Sequence, residues 1–176
     1  THEYRDFTLS DTTDVRDKRF MKHYKENIVY IGGELLKEQG KLLHYRILGE
    51  TAIAGEDAGQ FRLEGKGDLN FKFLGDSVRL EANAYIKNLN PTFFYRHFHS
   101  KHYWWDNDDL SKVMRTRIEG TLKSEKLGTT LRAGVENIKN YTYLDNTSVT
   151  TTNEQGTSNY KNNVSVKQYS GNIQVL

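Results

Sequence analysis

The sequence predicts an all-β protein: an antiparallel transmembrane β-barrel, of which this chain supplies about seven strands of a larger whole. Apolar and polar residues alternate with period two along most of the chain, the signature of strands with two unlike faces. Several alternating segments run about 9 to 13 residues, where soluble strands average roughly 5 to 6 and membrane-barrel strands need roughly 9 to 11. The connections also fall into two sets, short ones at one end of the sheet and long ones at the other, as in barrels with short periplasmic turns and longer extracellular loops.

Residues 1–26 read as a polar N-terminal segment or an extracellular loop, and residues 27–176 as barrel strands with long loops at 90–111 and 145–165. A weak first strand is expected near 28–35. The next, 42–54, sets Leu43, Tyr45, Ile47, Gly49, Thr51 and Ile53 against His44, Arg46, Leu48 and Glu50. Over 61–73 the pattern is unbroken, with Phe61, Leu63, Gly65, Gly67, Leu69, Phe71 and Phe73 against Arg62, Glu64, Lys66, Asp68, Asn70 and Lys72. Residues 78–87 alternate Val78, Leu80, Ala82, Ala84 and Ile86 with Arg79, Glu81, Asn83, Tyr85 and Lys87. Residues 114–123 alternate Met114, Thr116, Ile118, Gly120 and Leu122 with Arg115, Arg117, Glu119, Thr121 and Lys123. Residues 129–136 set Thr129, Leu131, Ala133 and Val135 against Thr130, Arg132, Gly134 and Glu136, and a last strand is expected near 166–176. The apolar face of these five clear strands carries no charge. Its glycines and alanines would fill a soluble core poorly but present no difficulty to lipid tails, so this face is expected to point outward.

Composition narrows the function classes. With mean hydropathy −0.77, no stretch approaches the roughly 18 to 20 apolar residues of a spanning helix. A net charge of +2 with interleaved signs argues against nucleic acid as a partner. The absence of cysteine excludes disulfides, thiolate metal sites and thiol catalysis. One proline among 14 glycines, 11 tyrosines and 8 phenylalanines suits long uninterrupted strands. The chain opens at Thr1 without a leader-like pattern and stops within a strand-like pattern, as a fragment of a longer polypeptide would. An open sheet in lipid leaves its edges unpaired at several kcal/mol per group, so further strands are expected to close the barrel.

The charged face would then line a lumen: Arg46, Glu50, Arg62, Glu64, Lys66, Asp68, Lys72, Arg79, Glu81, Lys87, Arg115, Arg117, Glu119, Lys123, Arg132 and Glu136. Ten cations against six anions would favour anions slightly. The alternative is that opposite charges pair between neighbouring strands and stiffen a plugged barrel. Phe93, Phe94, Tyr95, Tyr103, Trp104 and Trp105, where a strand leaves the membrane, read as an interfacial aromatic girdle. His97, His99 and His102 with Asp106, Asp108 and Asp109 are plausible ligand types for a transition metal, but their spacing fits loop packing better, and no metal or other cofactor is expected. Ser100 beside His99 and Asp106 is the one cluster worth testing for nucleophilic catalysis; adjacent residues point apart and no nucleophile-turn motif surrounds it, so no catalytic residue and no enzyme activity is expected. Gly65-Lys66-Gly67 lies inside an alternating strand with no helix after it, unlike a phosphate-cradling loop.

Particular runs carry a resemblance: His23-Tyr24-Lys25-Glu26-Asn27, Gly32-Gly33-Glu34, Tyr45-Arg46-Ile47-Leu48-Gly49-Glu50, Ala58-Gly59-Gln60-Phe61, and Glu81-Ala82-Asn83-Ala84-Tyr85-Ile86-Lys87-Asn88. The most specific is His102-Tyr103-Trp104-Trp105-Asp106-Asn107-Asp108, and Val135-Glu136-Asn137, Asn140-Tyr141 and Ser170-Gly171-Asn172-Ile173-Gln174 extend it. Together they resemble the Putative porin family of Bacteroidota outer membranes, whose members are longer single-chain barrels. The resemblance implies location in a Gram-negative outer membrane and fold more firmly than a solute. The expected function is a porin-like channel for passive diffusion of small hydrophilic solutes, in contact with outer-membrane lipids and lipopolysaccharide. The alternative is a non-conducting barrel that scaffolds an outer-membrane protein complex or seats a surface lipoprotein on its long loops. A soluble barrel or sandwich binding a ligand within its apolar face is a third reading.

Overall fold

A computed structural model describes residues 1–12, 20–73, 75–152 and 158–176. The main sheet has eight antiparallel strands in strict chain order: β1 (His2–Ser10), β2 (Met21–Lys37), β3 (Leu43–Gly55), β4 (Phe61–Phe73), β5 (Asp76–Leu89), β8 (Val113–Ser124), β9 (Thr129–Thr152) and β10 (Ser158–Val175). It curls into a half-barrel. Between β5 and β8 the chain forms one helical turn, α1 (Phe93–Arg96), and a small hairpin of β6 (His97–His99) and β7 (Trp104–Asp106). Up-and-down order follows from the connections, since adjacent antiparallel strands need only a hairpin turn. The turns at 38–42, between Phe73 and Asp76, and at 125–128 lie at one end; at the other lie the five-residue connection 56–60 and the long connection 90–112.

The eighth strand, β1, comes from the segment expected to be a polar tail or loop. Met21–Val29 of β2 pair with β1, whereas Ile28–Lys37 pair with β3, and Gly55 at the end of β3 faces Ile28. The β1–β2 hairpin therefore rises above the β3–β4 turn by about 20 Å at roughly 3.3 Å per residue. At that junction Gly55 has φ +92°, and a Cβ there would stand 1.7 Å from the Asn27 carbonyl oxygen, so only glycine fits. A second tall hairpin replaces most of the loop expected at 145–165. β9 and β10 stay paired from Asp145↔Ser165 to Thr152↔Ser158, and residues 153–157 of that expected loop lie outside the described residues. The sequence there is dominated by Thr, Asn and Ser, which hides the strand pattern.

On the apolar face, register lines like residues into rows across the sheet. Leu43, Leu69, Leu80, Leu122 and Leu131 stand side by side on β3, β4, β5, β8 and β9. The adjacent row holds Gly67, Ala82, Gly120 and Ala133, a band of small residues across four strands. This face has almost no core: Ile118 and Leu131 are 61% and 64% exposed. Apart from Val78, buried residues gather instead on the opposite face and under the β5–β8 connection. Among the described residues no helix is long and apolar enough to cross a membrane.

Candidate functional site

The opposite face carries every charged residue expected to line a lumen. Register groups many of them by sign rather than pairing them. Arg62, Lys87 and Arg115 are directly opposed on β4, β5 and β8, as are Arg46 and Lys66, Arg79 and Lys123, and the acidic pair Asp68 and Glu81. Directly opposed like charges destabilise a sheet. They are tolerated because most ion pairs form on the diagonal: Lys87 Nζ to Glu64 at 2.7 Å, Lys123 Nζ to Glu81 at 2.8 Å, and Arg115 Nε to Glu136 at 2.7 Å. Arg62 and Glu50, opposed on β4 and β3, pair directly at 3.2 Å, and Arg46 bonds Glu34 of β2.

Depth separates the two signs on β8 and β9. Glu119 accepts from Arg132 Nη2 at 2.8 Å through both carboxylate oxygens and also from Arg117. Glu136 accepts from Arg115 and, at 2.8 Å, from the Tyr85 hydroxyl. The two carboxylates are about one-tenth exposed (10% and 11%), whereas the side chains of Arg115, Arg117 and Arg132 are 47%, 39% and 64% exposed. Gly134, opposite Glu119, makes this possible: a Cβ there would lie 3.2 Å from the Glu119 Cβ and 3.1 Å from the Ile118 carbonyl oxygen.

The β5–β8 connection folds back over the same face and docks on the β1–β2 hairpin. Phe93 stacks on Phe7 with centroids 3.8 Å apart and meets the edge of Tyr24 at 5.4 Å. Beneath them lies a buried charge network that sequence reasoning missed. Arg96 Nη2 donates to Glu26 at 2.6 Å and its Nη1 to Glu56 at 3.1 Å, while Arg5 Nη1 reaches Asp57 at 2.9 Å, as does the Tyr30 hydroxyl. No period-two signal marks β1 in the sequence: Glu3 and Arg5 share one face with Phe7 and Leu9, and Tyr4 shares the other with His2, Asp6 and Thr8.

All six aromatics of the expected girdle lie on this connection. Phe93 corrects the expectation, because its ring is buried against Phe7 and docks the loop instead of meeting headgroups. Phe94 is exposed; Trp105 stacks on Phe98 at 4.8 Å and donates its indole N–H to the Phe94 carbonyl. The Tyr95 carbonyl accepts from Asn107, and Tyr103 closes a turn with Ser100. Other aromatics stand on the apolar face of the long strands: Phe71 and Phe73, with Leu127, line an apolar depression of about 530 Å³ at the short-turn end.

Two of the three candidate histidines, His97 and His99, are tied to Asp106. His97 Nδ1 lies 2.8 Å from Asp106 Oδ1, and His99 Nε2 lies 3.0 Å from Oδ2. His99 Nδ1 donates to the Ser10 carbonyl at 2.7 Å, and its ring stacks on Trp104 at 3.7 Å. Burial pushes the Asp106 carboxyl up, but hydrogen bonds from His97, His99 and Tyr24 outweigh it and hold the group below its usual range. No three His, Asp or Glu side chains among the described residues are arranged to hold a metal ion. The Ser100 hydroxyl donates to the Tyr103 carbonyl, while the His99 ring is committed to Ser10 and Asp106, so the two do not form a nucleophile–base pair. Lys66, between Gly65 and Gly67, lies within β4.

A family model described as Putative porin matches residues 1–176. No curated protein and no solved structure matches the chain.

Proposed function

The chain belongs to the Putative porin family, and from that premise we propose that it forms part of the wall of a water-filled channel in the bacterial outer membrane, through which small hydrophilic solutes diffuse passively. The observation that carries this reading is the sidedness of exposure. Side chains on a concave face converge and shield one another, and the buried side chains of Glu119 and Thr121 are on the charged face, whereas Ile118 and Leu131 stand out from the other. A sheet curled with its charges inside and a row of leucines outside matches lipid without and water within. Catalysis plays no part in this reading. Single-channel recording from the intact protein in a planar bilayer tests it: stepwise currents are expected, and a folded but silent barrel would overturn it.

A second reading rests on the exposed Phe94 and Trp104 of the folded-back connection. There the barrel is closed and this connection seats an outer-membrane protein or surface lipoprotein. Co-purification of a stoichiometric partner, lost on trimming residues 97–106, would favour it over the channel.

A further inference from the structure

We infer that β8 and β9 carry a subsite for small carboxylate- or phosphate-bearing solutes, built from Arg115, Arg117 and Arg132 over Glu119 and Glu136. The inference rests on the channel reading in taking this face as the wetted one. Three guanidinium groups share two carboxylates, which leaves one positive charge in excess. Position matters more than this sum. The carboxylates lie against the sheet, nearly buried, and the guanidinium groups lie above them, so an approaching solute meets cations first. Among the described residues only Glu119 accepts from Arg132, through Nη2, so its Nε–H and Nη1–H donors face water. A guanidinium with free donors is a planar fork suited to carboxylate and phosphate oxygens.

Lys87 and Arg62 continue the row of cations from Arg115 across β5 and β4, each paired with a carboxylate, Glu64 and Glu50, so the excess positive charge is concentrated on β8 and β9. Glycine at 134 is part of the construction, since the space it leaves is where Glu119 leans to draw Arg117 and Arg132 together. The carboxylates thus act as anchors that fix guanidinium groups in place at little entropic cost to an arriving oxyanion. Arg62 and Glu50, paired directly across β4 and β3, are by contrast 40% and 37% exposed.

Calorimetric titration of the folded, intact protein with citrate tests this, with spermidine as the cationic counterpart and reversal potential in a salt gradient measured alongside. Citrate should bind, weaken with added salt, and outcompete any binding of spermidine. Arg132→Gln should lower citrate affinity about fivefold, the loss of one contact charge in water. It leaves Glu119 paired with Arg117, so folding is retained. Glu119→Gln should raise affinity by a similar factor. Citrate binding that is absent, or that ignores both substitutions, would overturn the subsite, as would a reversal potential on the cation side. A silent barrel that still binds citrate through Arg132 would remove the channel reading and leave the subsite standing.

Discussion

Replacing Arg96 by alanine should release the folded-back connection from the β1–β2 hairpin while leaving the sheet intact. Arg96 is buried and gives Glu26 its shortest contact, 2.6 Å, in a site where Glu26 is itself buried. Removing one partner of a buried ion pair costs roughly 3–5 kcal/mol, because the remaining charge is stranded. Arg5 Nη1 at 3.4 Å still faces Glu26, so the lower end of that range applies. About 3 kcal/mol corresponds to about a 150-fold rise in the undocked population at 1.36 kcal/mol per decade. Both tryptophans of the chain, Trp104 and Trp105, lie on this connection, so intrinsic emission reports docking directly. Arg96→Ala should shift emission to the red and open the connection to protease, with hydrogen exchange of the β6–β7 amides accelerated by about the same factor. Adding Glu26→Gln should recover part of the loss by removing the stranded charge. Unchanged emission and unchanged protease resistance in Arg96→Ala would refute the assignment of this pair as the latch.

Three further outcomes follow from other parts of the structure. Ile118→Lys, on the exposed apolar face, should destabilise the protein in bilayers by about 2–4 kcal/mol if that face meets lipid; Asn83→Lys, facing the other way on β5, should not, and equal tolerance of both would reverse the assigned sides. Asp106 is held below the usual carboxylate range, so its contribution to docking is complete above the unfolded value and is lost as pH falls through the lower folded one. Tryptophan emission should therefore shift to the red as pH drops below about 4, and the Asp106→Asn protein should lack that acid step; an identical step in both would exclude Asp106 as its source. Gly55→Ala forces a side chain onto the Asn27 carbonyl at φ +92° and should lower the thermal unfolding temperature, where an unchanged midpoint would show that the junction yields.

The parts of the fold with two chemically unlike faces were legible in the sequence. β3, β4, β5 and β8 alternate because one face must be apolar and the other charged, and their ends fell within a residue or two of those expected. Once the chain rises past the level of Gly55 or Lys139, both faces can be polar, and the period-two signal disappears although backbone pairing continues. That is why the top of the β9–β10 hairpin read as a loop and β1 as a tail. Docking of the β5–β8 connection was hidden for another reason. Phe93 meets Phe7, and Arg96 meets Glu26, across separations that no local pattern encodes, so Phe93 could not be told from its exposed aromatic neighbours by sequence. The charged face was legible as a set of residues, but the depth of Glu119 and Glu136 beneath their arginines depends on register and on the space left at Gly134.

The band formed by Gly67, Ala82, Gly120 and Ala133 leaves the outer wall nearly bare of side chains across four adjacent strands. Backbone hydrogen bonds in that band have no side-chain shield against water; in the proposed outer-membrane setting surrounding hydrocarbon would supply it. With lipid tails against the band, exchange of those bonds for bonds to water would be suppressed and the wall would be stiff. In a thin or short-chain micelle the same ladder becomes wetted, and this girth is where the wall would first soften. Rigidity at the waist is thus a joint property of chain and solvent, set by how well the surrounding hydrocarbon fills the space that larger side chains would have occupied.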